Sequence, residues 1–189
     1  ETLEQLLAHI VGLARQRKVT RGRKLRTDGT VVESNIHYPT DSSLLADGVR
    51  VLSRTLGRAR KVLEGAATDV VQVAKEVFRN RTRSARNAAR EIGRTAKKAK
   101  EQRQQVYRKL VRITRASVKQ ARKVLEILTE MATEEATQIV QQMAHFVPLV
   151  EQVIDQASRR VLQGEAVPVA DKIVSLFEPH TDIIRRGKR

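Results

Sequence analysis

The four histidines, His9, His37, His145 and His180, would be the natural ligands of a metal or the agents of acid–base chemistry, yet they lie far apart along the chain. None sits in an i, i+4 pair or beside a second ligand, so the usual helical zinc signature is missing. There is no cysteine, and with it no thiolate nucleophile, no Cys-based zinc site and no disulfide framework. The sequence contains no G-x-x-x-x-G-K-[ST] or G-x-G-x-x-G loop to cradle phosphates, and no G-x-S-x-G elbow to present a serine. Asp28 remains, in Thr27-Asp28-Gly29-Thr30 within a β-rich stretch. It reads either as a tight-turn residue, which composition alone favours, or as a strand carboxylate able to hold a divalent cation. Glu33 lies an odd number of residues away and in a regular strand would face the other side. Asp41 reads as a helix cap, and Glu178 and Asp182 as solvated residues beside a turn.

The second chemistry on offer is phosphate binding. The 189 residues carry 37 Lys and Arg against 21 Asp and Glu, a formal charge of +16. Nearly all of the excess falls between Arg79 and Lys123, where 17 basic residues meet 2 acidic ones. A smaller run, Arg15, Arg17, Lys18, Arg21, Arg23, Lys24 and Arg26, has no acidic neighbour. Short basic runs are usually just solvated faces, but a charge this concentrated repels itself and calls for an anionic partner. Arg79, Arg83, Arg86, Arg90, Arg94, Lys97 and Lys98 follow one another at spacings that place most of them on adjoining helical faces. They are the candidate contacts to a DNA backbone, which positions the duplex without reading its sequence. Only five aromatic residues, Tyr38, Phe78, Tyr107, Phe146 and Phe177, argue against a base-stacking single-strand binder.

These side chains need elements to hold them. Leu3, Leu6, Leu7, Ile10, Val11, Leu13 and Ala14 recur at helical spacing and predict an amphipathic helix. The period then changes, and residues 24–35 read as a strand. Tyr38 precedes Pro39 and is pushed to extended dihedrals. Thr40, Asp41 and Ser42 offer caps to a helix running through Leu44, Val49, Leu52, Leu56 and Leu63. Helical periodicity continues almost to Gly164, with Pro148 either inside a helix or opening a new one. The thin stripe of Ala85, Ala88, Ala89, Ile92, Ala96 and Ala99 buries little, so that stretch is expected to project from the core as a long helix or helix-loop-helix. Lys172-Ile173-Val174-Ser175-Leu176-Phe177 reads as another strand, followed after a turn by a short run at 183–186. Apolar runs fall far short of the roughly 20 residues that span a bilayer, and no secretory signal is visible.

Between Arg26 and Leu45 the string Arg-Thr-Asp-Gly-Thr-Val-Val-Glu-Ser-Asn-Ile-His-Tyr-Pro-Thr-Asp-Ser-Ser-Leu-Leu closely resembles the DDE transposases of bacterial insertion sequences, in particular the ISNCY-type group. A second block, Val153 to Glu165 and then Lys172 to Ile184 with Gly187-Lys188, is similar to the same family in the same order. The resemblance implies a mostly α chain in which a long helical insertion interrupts an incomplete RNase H-like α/β core, with strands around 24–36 and 172–186. On that reading residues 1–23 are a helix and basic linker, 24–58 begin the core, 59–165 form the basic insertion and 166–189 return to the core. It makes Asp28 the first acid of the triad and an Mg²⁺ ligand, DNA the partner and the bacterial cytoplasm the location. It involves no membrane and admits a homo-oligomer in the full-length protein. The family's second Asp and its Glu would lie beyond Arg189, so these residues alone are expected to be inactive in strand transfer. The rival reading is a non-catalytic, basic helical protein that binds nucleic acid.

Overall fold

The computed structural model describes residues 2–19, 40–65, 78–95, 100–168 and 171–179. The chain divides into two units, Glu1–Asn35 and Ile36–Arg189.

In the first unit the described element is α1 (Leu3–Gln16). The Gln5 side chain accepts from the Thr2 backbone N–H at 3.2 Å and closes its N-terminus. At the other end Lys18 takes a left-handed φ of 55°, and the N–H groups of Lys18 and Val19 return to the carbonyls of Arg15 and Ala14, each at 3.0 Å. This is the Schellman arrangement with lysine where glycine is the easier residue.

The second unit is mostly helical, with α2 (Asp41–Glu64), α3 (Thr82–Arg94), α4 (Lys100–Thr129) and α5 (Glu134–Ala157). Thr40 caps α2: its Oγ1 accepts from the Ser43 N–H at 3.1 Å while Ser43 Oγ donates to the Thr40 carbonyl at 2.8 Å. Thr133 caps α5 in the same way, through Ala136 N–H at 3.3 Å. Contacts between the helices fix their directions. Asp41 meets Arg160 and Thr55 meets Gln142, so α2 and α5 run antiparallel. Glu91 faces Lys109 and Arg81 bonds Gln120, so α3 runs against α4; Arg122 pairs with Glu151 and Gln104 with the Val161 carbonyl just past α5, so α5 does too. The result is an up-down-up-down four-helix arrangement.

Its interior is aliphatic and lies in two clusters. One gathers Leu45, Val49, Leu52, Leu110, Val150 and Val153, and the other gathers Leu56, Leu63, Val124, Leu128, Ile139 and Met143. At the level between them Thr55 Oγ1 and Arg58 Nη1 both donate to Gln142 Oε1, at 3.4 and 3.0 Å. The α2–α5 crossing is close at Gly48, where an added Cβ would lie 2.9 Å from a Val150 methyl. Glycine is required there by space rather than by dihedral freedom.

α5 passes through Pro148 without ending and continues into a π-helical turn, Ser158–Gln163. Gly164, at φ 79°, stops it as expected, with the Glu165 N–H on the Arg159 carbonyl at 2.9 Å. The boundary drawn at 58/59 lies inside α2.

Two expectations are corrected. α3 does not project: Ala85, Ala88 and Ile92 are buried in the first cluster against α2 and α4. Alanines contribute little transfer energy each, but they let helices approach closely, and Ile92 supplies the bulk. The strand expected at 172–177 is not formed either; among the described residues there is no strand. Ser175 Oγ accepts from the N–H groups of Phe177 and Glu178, at 3.2 and 3.1 Å, and turns the chain back. The backbone of Ile173 is instead occupied by one side chain, Gln156, which accepts from its N–H at 2.9 Å and donates to its carbonyl at 3.3 Å. The strand candidates at 24–36 and 183–186 lie outside the described residues.

Candidate nucleic-acid interface and the polar clamp beside it

α3 sorts its residues sharply. Ala85, Ala88 and Ile92 face inward, while Arg83, Arg86, Arg90 and Arg94 are exposed. At about 100° per residue these four arginines fall on one outward stripe some 16 Å long. The helix contains one acid, Glu91, and that faces Lys109 at 3.9 Å. Arg79 is exposed just before the helix, whereas Lys97 and Lys98 lie outside the described residues. Arg81 turns in and donates to Gln120 Oε1; burial, then neighbouring Arg79, lower its guanidinium from the ordinary range.

A second stripe was not singled out from the sequence. On α4, Arg108, Arg112, Arg115, Lys119 and Arg122 are all exposed and repeat at intervals of four and three, a straight outward row about 21 Å long. In the sequence these residues stand out only as part of the charge excess. Phasing them against buried Leu110, Thr114, Ala121 and Leu128 would have found the row. Arg122 is held in a fork by Glu151, with both bonds at 2.8 Å. Among the described residues Arg83, Arg86, Arg90, Arg94, Arg108, Arg112, Arg115 and Lys119 form no ion pair. Eight uncompensated charges on two adjacent antiparallel helices are suited to polyanion contact.

The α3 row borders the start of α2. Arg86 and Arg90 line a cleft of about 400 Å³ with Thr40, Ser42, Ser43 and Arg50. Arg50 also pairs with Asp47 at 3.0 Å. Asp47 also lines the cleft, and the guanidinium groups of Arg86 and Arg90 make it receptive to phosphate oxygens.

Behind the cleft lies a buried polar clamp. Asp41 is not the cap of α2, because Thr40 takes that role; its side chain is 6% exposed and faces α5 instead. Arg160 Nη1 donates to both of its oxygens, at 2.9 and 3.0 Å, and Gln156 Nε2 donates to Oδ1 at 2.8 Å. The same Gln156 holds Ile173, and Gln104 Nε2 donates to the Val161 carbonyl at 3.0 Å within the π-helical turn. Tyr107 shares a side-chain hydrogen bond with Ser42, and burial, the largest influence, pushes its phenol above the usual range. The clamp thus joins residues 41–42, 156–160 and 173, which are distant in sequence.

Asp28 lies outside the described residues. Among the described residues no three His, Asp or Glu side chains gather to hold a metal ion, and Asp41 has its oxygens filled by Arg160 and Gln156. The groups in view do not fit a Mg²⁺ centre. No helix among the described residues is long and apolar enough to cross a membrane. No protein-family model, curated protein or solved structure matches the chain.

Proposed function

We propose that the helical unit is a DNA-backbone-binding part of a DDE-type transposase. The observation that carries the binding is the pair of outward rows on α3 and α4, in which every guanidinium and ammonium group except that of Arg122 forms no ion pair among the described residues. The transposase reading rests on the two sequence blocks that resemble that family. It is supported by their meeting in space, since Asp41 comes from the first block and its partners Gln156 and Arg160, with Ile173 bonded to Gln156, from the second. In that reading residues 24–36 supply the first strand of an RNase H-like core, and Asp28 is one of three carboxylates that hold Mg²⁺ in the full-length protein.

The test is a pair of quadruple charge reversals to Glu, one at Arg83, Arg86, Arg90 and Arg94 and the other at Arg108, Arg112, Arg115 and Lys119. Both rows are solvent-facing, so helicity by circular dichroism is expected to persist. Duplex affinity followed by fluorescence anisotropy should fall at least tenfold for each; unchanged affinity in both variants would dispose of the interface. The 189 residues should bind without cutting, because the resemblance places only one of the three carboxylates among them. Mg²⁺-dependent cleavage by the purified chain would overturn that assignment.

A further inference from the structure

The end of the bundle that carries the clamp encloses a cavity that the outward rows do not use. Its volume is about 540 Å³, the size of a small-ligand site. Among its described lining residues are three cations, Lys100, Arg103 and Arg160, and one carboxylate, Asp41. Both oxygens of Asp41 are taken by Arg160, and one of them also by Gln156. Two positive charges are therefore left over. Arg103 is half-buried, and neither it nor Lys100, one helical turn before it on α4, forms an ion pair among the described residues. A guanidinium drawn half out of water with no carboxylate beside it costs free energy, which an anion in the cavity offsets.

The neutral groups of the wall suit an anion as well. Ser42 and Tyr107 share a side-chain hydrogen bond, and burial raises the Tyr107 phenol, which stays uncharged and does not repel one. We infer that the cavity binds a phosphomonoester group, contacted by Arg103 and Lys100 beside the clamp residue Arg160. A phosphomonoester carries about two negative charges and three terminal oxygens at neutral pH, whereas each backbone diester carries one charge. The charges left over in the cavity match the former, and the forked guanidinium of Arg103 suits terminal oxygens. A free nucleotide or the phosphorylated 5′ end of a DNA strand supplies such a group. The cavity meets the cleft of Arg86 and Arg90 at Thr40, Ser42 and Gly93, so a strand lying in the cleft can reach it.

Two arms with the whole chain distinguish the sources. Isothermal titration compares adenosine monophosphate with adenosine, and fluorescence anisotropy compares one duplex in 5′-phosphorylated and 5′-hydroxyl forms. Saturable binding of the nucleotide but not the nucleoside assigns the site to a free nucleotide; a preference for phosphate confined to the duplex assigns it to a strand end, and either result supports the inference. Arg103→Gln should weaken the preferred probe about tenfold or more and Lys100→Gln by less, with helicity by circular dichroism unchanged in both. Reversing the α4 row at Arg108, Arg112, Arg115 and Lys119 should lower duplex affinity and leave the preference for phosphate in place, so this inference and the DNA-binding rows fail separately. The inference is overturned by equal binding with and without phosphate in both arms, by a preference that both glutamine variants leave intact, or by one that vanishes on reversing the α4 row.

Discussion

α1 and α3 invert each other. α1 carries four leucines and an isoleucine and buries nothing; α3 offers three alanines and one isoleucine, and buries Ala85, Ala88 and Ile92. Side-chain apolarity measures how much a helix gains from being covered, not whether a surface is there to cover it. α3 lies in the groove between α2 and α4, where small residues permit close approach, and its charge is thereby forced outward onto one face. α1 has no buried residue to match its apolar content.

The difference can be broken most forcefully at Ala88, 1% exposed. Ala88→Leu overpacks the α3 groove and should cost about 1–3 kcal/mol in denaturant-measured stability. Leu6→Ser in α1 should leave the same unfolding transition within about 0.5 kcal/mol. A neutral Ala88→Leu would mean that α3 is loosely attached and the contrast is false. The surroundings of α3 depend in turn on the clamp that ties α2 to α5. Arg160→Met leaves the buried Asp41 carboxylate with Gln156 as its remaining side-chain donor among the described residues and should cost about 1–2 kcal/mol, a figure reduced because the Arg160 side chain is 40% exposed. Thermal melts at low salt read that loss, and an unchanged melt would relegate the clamp to decoration. The smallest effect belongs to α1: Lys18→Gly relieves the left-handed residue at its end and should raise its helicity, a gain of about 0.5 kcal/mol seen by circular dichroism. No gain would argue against the Schellman end.

Much of the helical framework was legible in the sequence because it depends on local rules. Thr40 sits where free N–H groups need an oxygen, the Leu44–Leu63 spacing keeps a helical period, and Gly164 takes a backbone shape that stops a helix cheaply. What escaped depends on partners far along the chain. Asp41 looks like a cap as much as Thr40 does, and only Arg160, which lies 119 residues away, makes it a buried ion-pair partner. Residues 172–177 have the composition of a strand, yet Ser175 folds the backbone on itself and Gln156 supplies the hydrogen bonds a neighbouring strand would have made. At the interface, the arginines of α3 were visible as a spaced series, whereas the α4 row emerges only when its charges are phased against the buried positions of the same helix.

The central claim is that the outward rows of α3 and α4 neutralise duplex phosphates, and the salt dependence of binding tests it most directly. Plotting log affinity against log salt for the 189-residue chain on a duplex of arbitrary sequence should give a slope of about −0.9 for every phosphate neutralised. With both rows engaged, affinity should fall on the order of 10³-fold or more between 50 and 200 mM salt, and reversing either row should flatten the slope. A slope near zero, or one that neither reversal alters, would contradict the account.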